Sequence, residues 1–317
     1  MNLSYLSLLG AVTPVFVAML AGYVCRRRGV LSAEADRTLI GTNITLLTPC
    51  LMLDKIVGNP ALRDMSNVVA APLLGFGTVW IGFVIGRWVA RWFPDATAAQ
   101  RGTFAVTTGL YNYGYIPLPL ILTLFSPEVA GVLFIFNVGV EMALWTVGVG
   151  MFSGTRQSGG WRKAINAPTM AIIAGLTLNA THADRWLPTA VLESIHLLGQ
   201  AAIPVGLLLI GATFGDHFTP QTLKGGKRIM ITSVVLRVVL TPLLFVALAV
   251  FLPITDDLRR VLVVQGAMPA AVVPVVLARH YGGDARVAVQ VILATSLVAL
   301  LTIPFWIAHG LQFAGIR

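Results

Sequence analysis

A chain of 317 residues with 56% hydrophobic and only 11% charged residues, and a mean hydropathy of +0.83, is too apolar for a soluble domain, in which roughly 25% of residues carry charge. The formal net charge of +9 would suit a nucleic-acid partner, but the basic residues stand in short loops between apolar segments, where positive-inside topology explains them better. The composition predicts an all-α integral membrane protein with a lipid bilayer, and no nucleic acid, as its partner.

Ten apolar windows run along the chain at about 5–25, 35–57, 68–92, 100–124, 129–152, 165–181, 190–214, 229–252, 260–279 and 287–310, long enough for a bilayer core of roughly 30 Å. Met1 to Leu20 contains no Lys or Arg, unlike the basic n-region of a secretory signal, so the first window is expected to be retained. The second, with Thr38, Thr42, Asn43, Thr45 and Thr48, is the most polar. Cys25 and Cys50 show no CxxC or metal-ligand spacing, so buried free thiols and no metal or cofactor are expected. Of the 22 Lys and Arg residues, fifteen follow odd-numbered windows, six lie on the other side, and Arg237 alone is mid-helix. This bias places odd loops in the cytoplasm and both termini outside.

The fourth window holds GLYNYGYIPLPLI, residues 109–121, with Gly109, Gly114, three tyrosines, Asn112, Pro117 and Pro119 at membrane depth. Prolines lack an N–H and clash with the preceding turn, so carbonyls left unpaired there need protein, water or a solute. An isolated stretch of this kind reads equally well as a buried proline kink. Its twin decides between the two. Pro14 and Pro168 stand 154 positions apart, Pro49 and Pro204 155, Pro117 and Pro269 152, and Pro119 and Pro274 155. Each pair falls in corresponding windows on either side of the hydrophilic link at 153–163, which predicts two repeats, 1–155 and 163–317. Five spans per repeat invert the second relative to the first. Inverted repeats with paired helix breaks are the pattern of secondary transporters, which bind cargo where the breaks meet.

Several stretches resemble one family. GYVCRRRGVLSAEADRTL at 22–39, NITLLTPCLML at 43–53, Asn112 seven residues before Pro119, MPAAVVPVVLARHYGGD from Met268, and LLTIPFW from Leu300 are similar, in order and spacing, to the auxin efflux carrier family. Its bacterial members include malonate and malate permeases, and it shares a crossover fold with the bile-acid sodium symporters. The resemblance implies that helices four and nine cross, that helices one, two, six and seven form a scaffold that dimerises, and that helices 3–5 and 8–10 form a core moving by an elevator mechanism. The family usually has glycine where this chain has Pro117.

Asn112 is the first candidate for a substrate contact, because its amide can donate to a carboxylate and half-helix N-termini attract anions. Tyr111, Tyr113, Gly114 and Tyr115 would shape the pocket, with plain aromatic packing the alternative for the tyrosines. Gln265, Pro269 and Pro274 are the counterpart set, Gln265 standing one turn before Pro269; an interhelical hydrogen bond is the other reading of Gln265. Asn43, with Thr48, Pro49, Gln200 and Pro204, belongs to the scaffold surface facing the core or to packing. Asp54, Lys55, Glu193 and His196 lie near helix ends.

Glu141 is a carboxylate well inside a window, a costly placement unless it is protonated, paired or facing water, and Asn137 four residues earlier shares its face. The pair reads as a protonatable coupling site, as a sodium site, or as a structural acid that is neutral or paired, Arg237 being one candidate partner. The function expected is secondary transport of a small carboxylate of malonate, malate or auxin type across a bacterial inner membrane. The alternatives are a sodium-coupled symporter and a non-transporting ligand sensor. With no HExxH, no GxGD and no acidic pair at membrane depth, no enzyme is expected.

Overall fold

Apolar runs punctuated by capping residues set the helices. A computed structural model describes residues 4–153, 165–218, 222 and 224–316. The described residues form twelve principal helices: α1 Tyr5–Arg27, α2 Ala33–Ile56, α3 Met65–Ala90, α4 Ala98–Gly109, α5 Pro117–Leu124, α6 Glu128–Phe152, α7 Ala167–Ala180, α8 Thr189–His217, α9 Lys227–Phe251, α10 Asp256–Ala267, α11 Val273–His280 and α12 Ala285–Phe313. Ser4, Ser32, Asp64, Asn166, Thr255 and Asp284 cap the starts of α1, α2, α3, α7, α10 and α12. Thr97 and Gln100 form a reciprocal capping box on α4. Each cap satisfies N–H groups that the first helical turn leaves without a partner.

Seven of these helices, α1, α2, α3, α6, α8, α9 and α12, are long and apolar enough to cross a membrane. The fourth expected window is divided into α4 and α5, and the ninth into α10 and α11, because the stretches at 110–116, with Gly114, and 268–272, with Pro269, leave the helix. The sixth window is the 14-residue α7, bounded by the Asn166 cap and Thr181. The expected link at 153–163, with Arg156, Arg162 and Lys163, falls almost entirely outside the described residues, as does Arg317. Cys25 and Cys50 are free thiols, half-buried rather than buried as expected.

Helix α1 lies along Ala202–His217 of α8, and α2 packs on α7 and on Thr189–Gln200 of α8. Close approach requires glycine at Gly211, where a Cβ would overlap the Met19 carbonyl of α1. Arg26 bonds Asp36 and, at 3.3 Å, Asp216, which ties α1, α2 and α8 at one end. In the other group α3 packs on α4 and α6, and α12 on α9, α10 and α11. Gly139 of α6 similarly admits the Pro72 carbonyl of α3. Helix α1 also touches α12, so the two groups share a face.

Three helices contain a wide π turn: Asn43–Leu47 in α2, Leu144–Gly148 in α6 and Val235–Leu240 in α9. Such turns concentrate at functional positions because they displace one side chain from the regular helical face. Here they carry Asn43, flank Glu141 and hold Arg237.

Candidate functional site

The two interrupted stretches meet. Tyr111 and Ala270 form an isolated antiparallel bridge, in which Asn112 N donates to Pro269 O at 2.7 Å and Ala271 N to Leu110 O at 2.9 Å. Backbone groups released by the helix breaks thereby satisfy one another, which membrane depth demands. Ala270 N donates to Thr295 Oγ1 of α12 at 3.2 Å. Pro117 does not kink a helix; it begins α5, where its missing N–H would have been unpaired in any case. Pro274 likewise lies in the first turn of α11, and Pro269 sits in the bridge segment. The chain leaves the helix between Leu110 and Ile116, upstream of Pro117 and Pro119.

Asn112 is 6% exposed. Its Oδ1 accepts from Ile116 N at 3.3 Å, and its Nδ2 donates to no protein group among the described residues. The backbone N–H groups of Gly114 and Tyr115 likewise have no protein acceptor among the described residues. Together with the Tyr113 N–H, which also has no protein acceptor among the described residues, these donors stand in the segment just before α5, whose dipole favours an anion.

Gln265 is fully buried. Its Nε2 donates to Tyr113 O at 3.2 Å and Asn137 Oδ1 at 3.0 Å, while Asn137 Nδ2 donates to the same Tyr113 carbonyl at 2.7 Å. Because a carbonyl can only accept, both amides are fixed in orientation. This leaves Gln265 Oε1 buried without a protein partner among the described residues. The crossing thus holds an open donor at Asn112 and a buried, unpartnered acceptor at Gln265.

Glu141 borders this network. Its Oε1 accepts from Tyr113 Oη at 2.5 Å and its Oε2 from Trp145 Nε1 at 2.8 Å. The pairing with Arg237 set out as one alternative does not form. Arg237, 1% exposed, donates through Nε to Met268 O at 3.0 Å, and its guanidinium carbon lies 5.0 Å from the Tyr111 ring centroid. Among the described residues no group of three His, Cys, Asp or Glu side chains could hold a metal ion.

Tyr111 is fully buried, edge-on to Phe245 at 5.4 Å, and its hydroxyl shares a 3.1 Å hydrogen bond with Thr78 of α3. It packs the back of the crossing. Tyr111→Phe is expected to lower stability by about 1 kcal/mol, the value of one such bond, with transport nearly unchanged, as thermal unfolding and uptake would report. Tyr115 points the other way: its ring covers Gly206 of α8, and its hydroxyl faces Thr48 of α2. Asn43 is not at the crossing. Its Nδ2 donates to Ala202 O at 3.2 Å and its Oδ1 accepts from Thr48 at 3.2 Å, one step behind Tyr115. Near the helix ends, Asp54 takes Lys55 at 2.7 Å and His196 at 3.0 Å. Thr78, Trp145 and Thr295 were not anticipated, since a hydroxyl or indole in an apolar run carries no signal until its partner is known.

Residues 7–160 and 155–307 match a family model described as membrane transport protein. An uncharacterized transporter of Methanothermobacter thermautotrophicus is 23% identical over 301 residues, 93% of this chain and 96% of that protein. An uncharacterized transporter of Methanocaldococcus jannaschii is 23% identical over 305 residues, 92% and 95% of the two chains. Auxin efflux carrier component 3 of Arabidopsis thaliana is 28% identical over 156 residues, 48% of this chain and 24% of the plant protein.

Proposed function

The chain belongs to the auxin efflux carrier family of membrane transport proteins, and from that premise we propose that it is a secondary transporter that binds a small organic anion where its two broken helices cross. It is a multi-pass membrane protein of a transporter family, not of an enzyme family. The observation that carries the proposal is the pairing of 110–112 with 269–271, which leaves Asn112 Nδ2 and the N–H groups of Gly114 and Tyr115 open beside the start of α5. A carboxylate satisfies such donors, and charge-assisted hydrogen bonds are the strong ones. A hydroxyl, an N–H or a water within the same site satisfies Gln265 Oε1.

Ten spans in two inverted repeats, with both termini outside, are the arrangement we propose around this site. The matched proline offsets support it, as do the two divided helices. Helices α1, α2, α7 and α8 form the scaffold, through which two copies pair. The remaining helices form a core that carries the site past Tyr115, Thr48 and Gly206 in an elevator-type alternation. Glu141 is the coupling group, binding a proton beside Tyr113. Asn137 Oδ1 is already taken by Gln265, so sodium lacks the amide oxygen that would join Glu141 in a cation site, whereas a proton needs Glu141 alone.

A panel of radiolabelled malonate, malate and indole-3-acetate in proteoliposomes, with imposed proton, sodium or no gradient, tests the proposal. The expected result is saturable uptake of at least one acid that responds to the proton gradient and not to sodium. A sodium response would replace the coupling scheme with that of a sodium symporter, and uptake of none of them would remove the anion.

A further inference from the structure

Arg237 is a buried guanidinium in an apolar helix, and among the described residues no carboxylate lies within ion-pair reach of it. An unpaired charge at that depth is costly, so what it faces is informative. Its Nε donates to Met268 O at 3.0 Å, and its Nη2 approaches Gly266 O at 3.5 Å. These carbonyls belong to the end of α10 and to the first residue beyond it. A helix that stops at membrane depth presents outward-pointing carbonyls and the negative end of its dipole. Such oxygens need a donor or a cation, and a hard inorganic cation is the usual occupant of a cluster of carbonyl oxygens. Here a side chain of the same core takes that place.

The other half differs. The residue 154 positions before Arg237, the offset of Pro14 and Pro168, is Phe83. Its ring lies against Gly109, the last residue of α4, much as Arg237 lies at the end of α10. The position matched to Arg237 in the first half therefore holds an aromatic ring near a helix end rather than a charge. Arg237 also bonds Met268, next to Pro269, whose carbonyl receives Asn112 N. The charge is thus one residue along the backbone from the bridge that presents Asn112.

Granted the anion site proposed above, we propose that Arg237 is the built-in counter-charge of the crossing. It caps the carbonyl end of α10 and supplies the positive potential under which a carboxylate binds beside Asn112, so no inorganic cation need be bound with the cargo at that helix end. Arg237 acts through the backbone and the field and is a positioning residue, not a substrate contact.

Binding of radiolabelled malonate and indole-3-acetate to the full-length protein in detergent tests this, with Arg237→Lys, Arg237→Gln and Arg237→Met beside the wild type and thermal unfolding as the check on folding. The wild type is expected to bind at least one acid equally well in sodium and in N-methyl-D-glucamine buffers. Arg237→Lys keeps the charge and is expected to stay within about threefold of wild type, whereas Gln and Met weaken binding by roughly tenfold or more. Gln retains an N–H donor for Met268, so a merely structural cap predicts Gln at least as good as Lys, and that outcome overturns the proposal. A sodium requirement in the wild type overturns it as well, without recourse to any variant. Wild-type protein that binds neither acid, or binds one equally well after Asn112→Ala, instead overturns the anion site, and the counter-charge falls with it.

Discussion

Replacing Asn112 by alanine is expected to lower carboxylate uptake in proteoliposomes by about tenfold to a hundredfold, because one hydrogen bond to a charged group is worth about 1.5–3 kcal/mol. The side chain does two things. Its Oδ1 holds Ile116 N at 3.3 Å, which sets the start of α5, and its Nδ2 is open to the cargo. Its backbone N–H, bonded to Pro269 O at 2.7 Å, survives the substitution, so the crossing should persist and thermal unfolding should shift only slightly. Asn112→Asp separates the two roles. It keeps an acceptor for Ile116 N but sets a carboxylate against the anion, and uptake is expected to fall below that of the alanine variant. Uptake by either variant at the wild-type rate would move the binding site away from the crossing.

Glu141→Gln is expected to abolish the response of transport to a proton gradient while leaving exchange of labelled for unlabelled acid intact. With one proton coupled per anion, an inward gradient of one pH unit drives accumulation of about tenfold; without coupling the gradient contributes nothing. The substitution is close to isosteric, and both hydrogen bonds can be kept. The amide oxygen accepts from Trp145 Nε1 as Oε2 does at 2.8 Å, and the amide N–H donates to Tyr113 Oη where the carboxylate accepted at 2.5 Å. A fall in stability alone therefore does not account for lost coupling. Proton-driven accumulation equal to wild type would make Glu141 a structural acid.

Much of the architecture was legible locally. Apolar windows, cap residues and Pro spacings each depend on a short stretch of chain, so α1, α3 and α12 follow from composition, and the breaks before Pro117 and Pro274 follow from the chemistry of proline and glycine. The site was legible in part. Asn112 and Gln265 stood out because amides at membrane depth are costly, and the matching offsets brought their stretches together. Asn43 shows the limit: it is an amide of the same kind, but its bonds to Ala202 and Thr48 place it between α2 and α8.

The sequence by itself determined that this chain lies in a membrane, that two of its apolar windows are interrupted, and which amides and acid lie at depth. Only the tertiary structure decided their partners. Gln265 meets Asn137 across 128 residues of chain, and Arg237 turns to Met268 rather than to Glu141. The reason is physical. Apolarity and backbone breaks are properties of contiguous residues, whereas a buried polar group bonds whatever donor or acceptor the packing of distant helices brings within about 3 Å, and neighbouring sequence does not encode that distance.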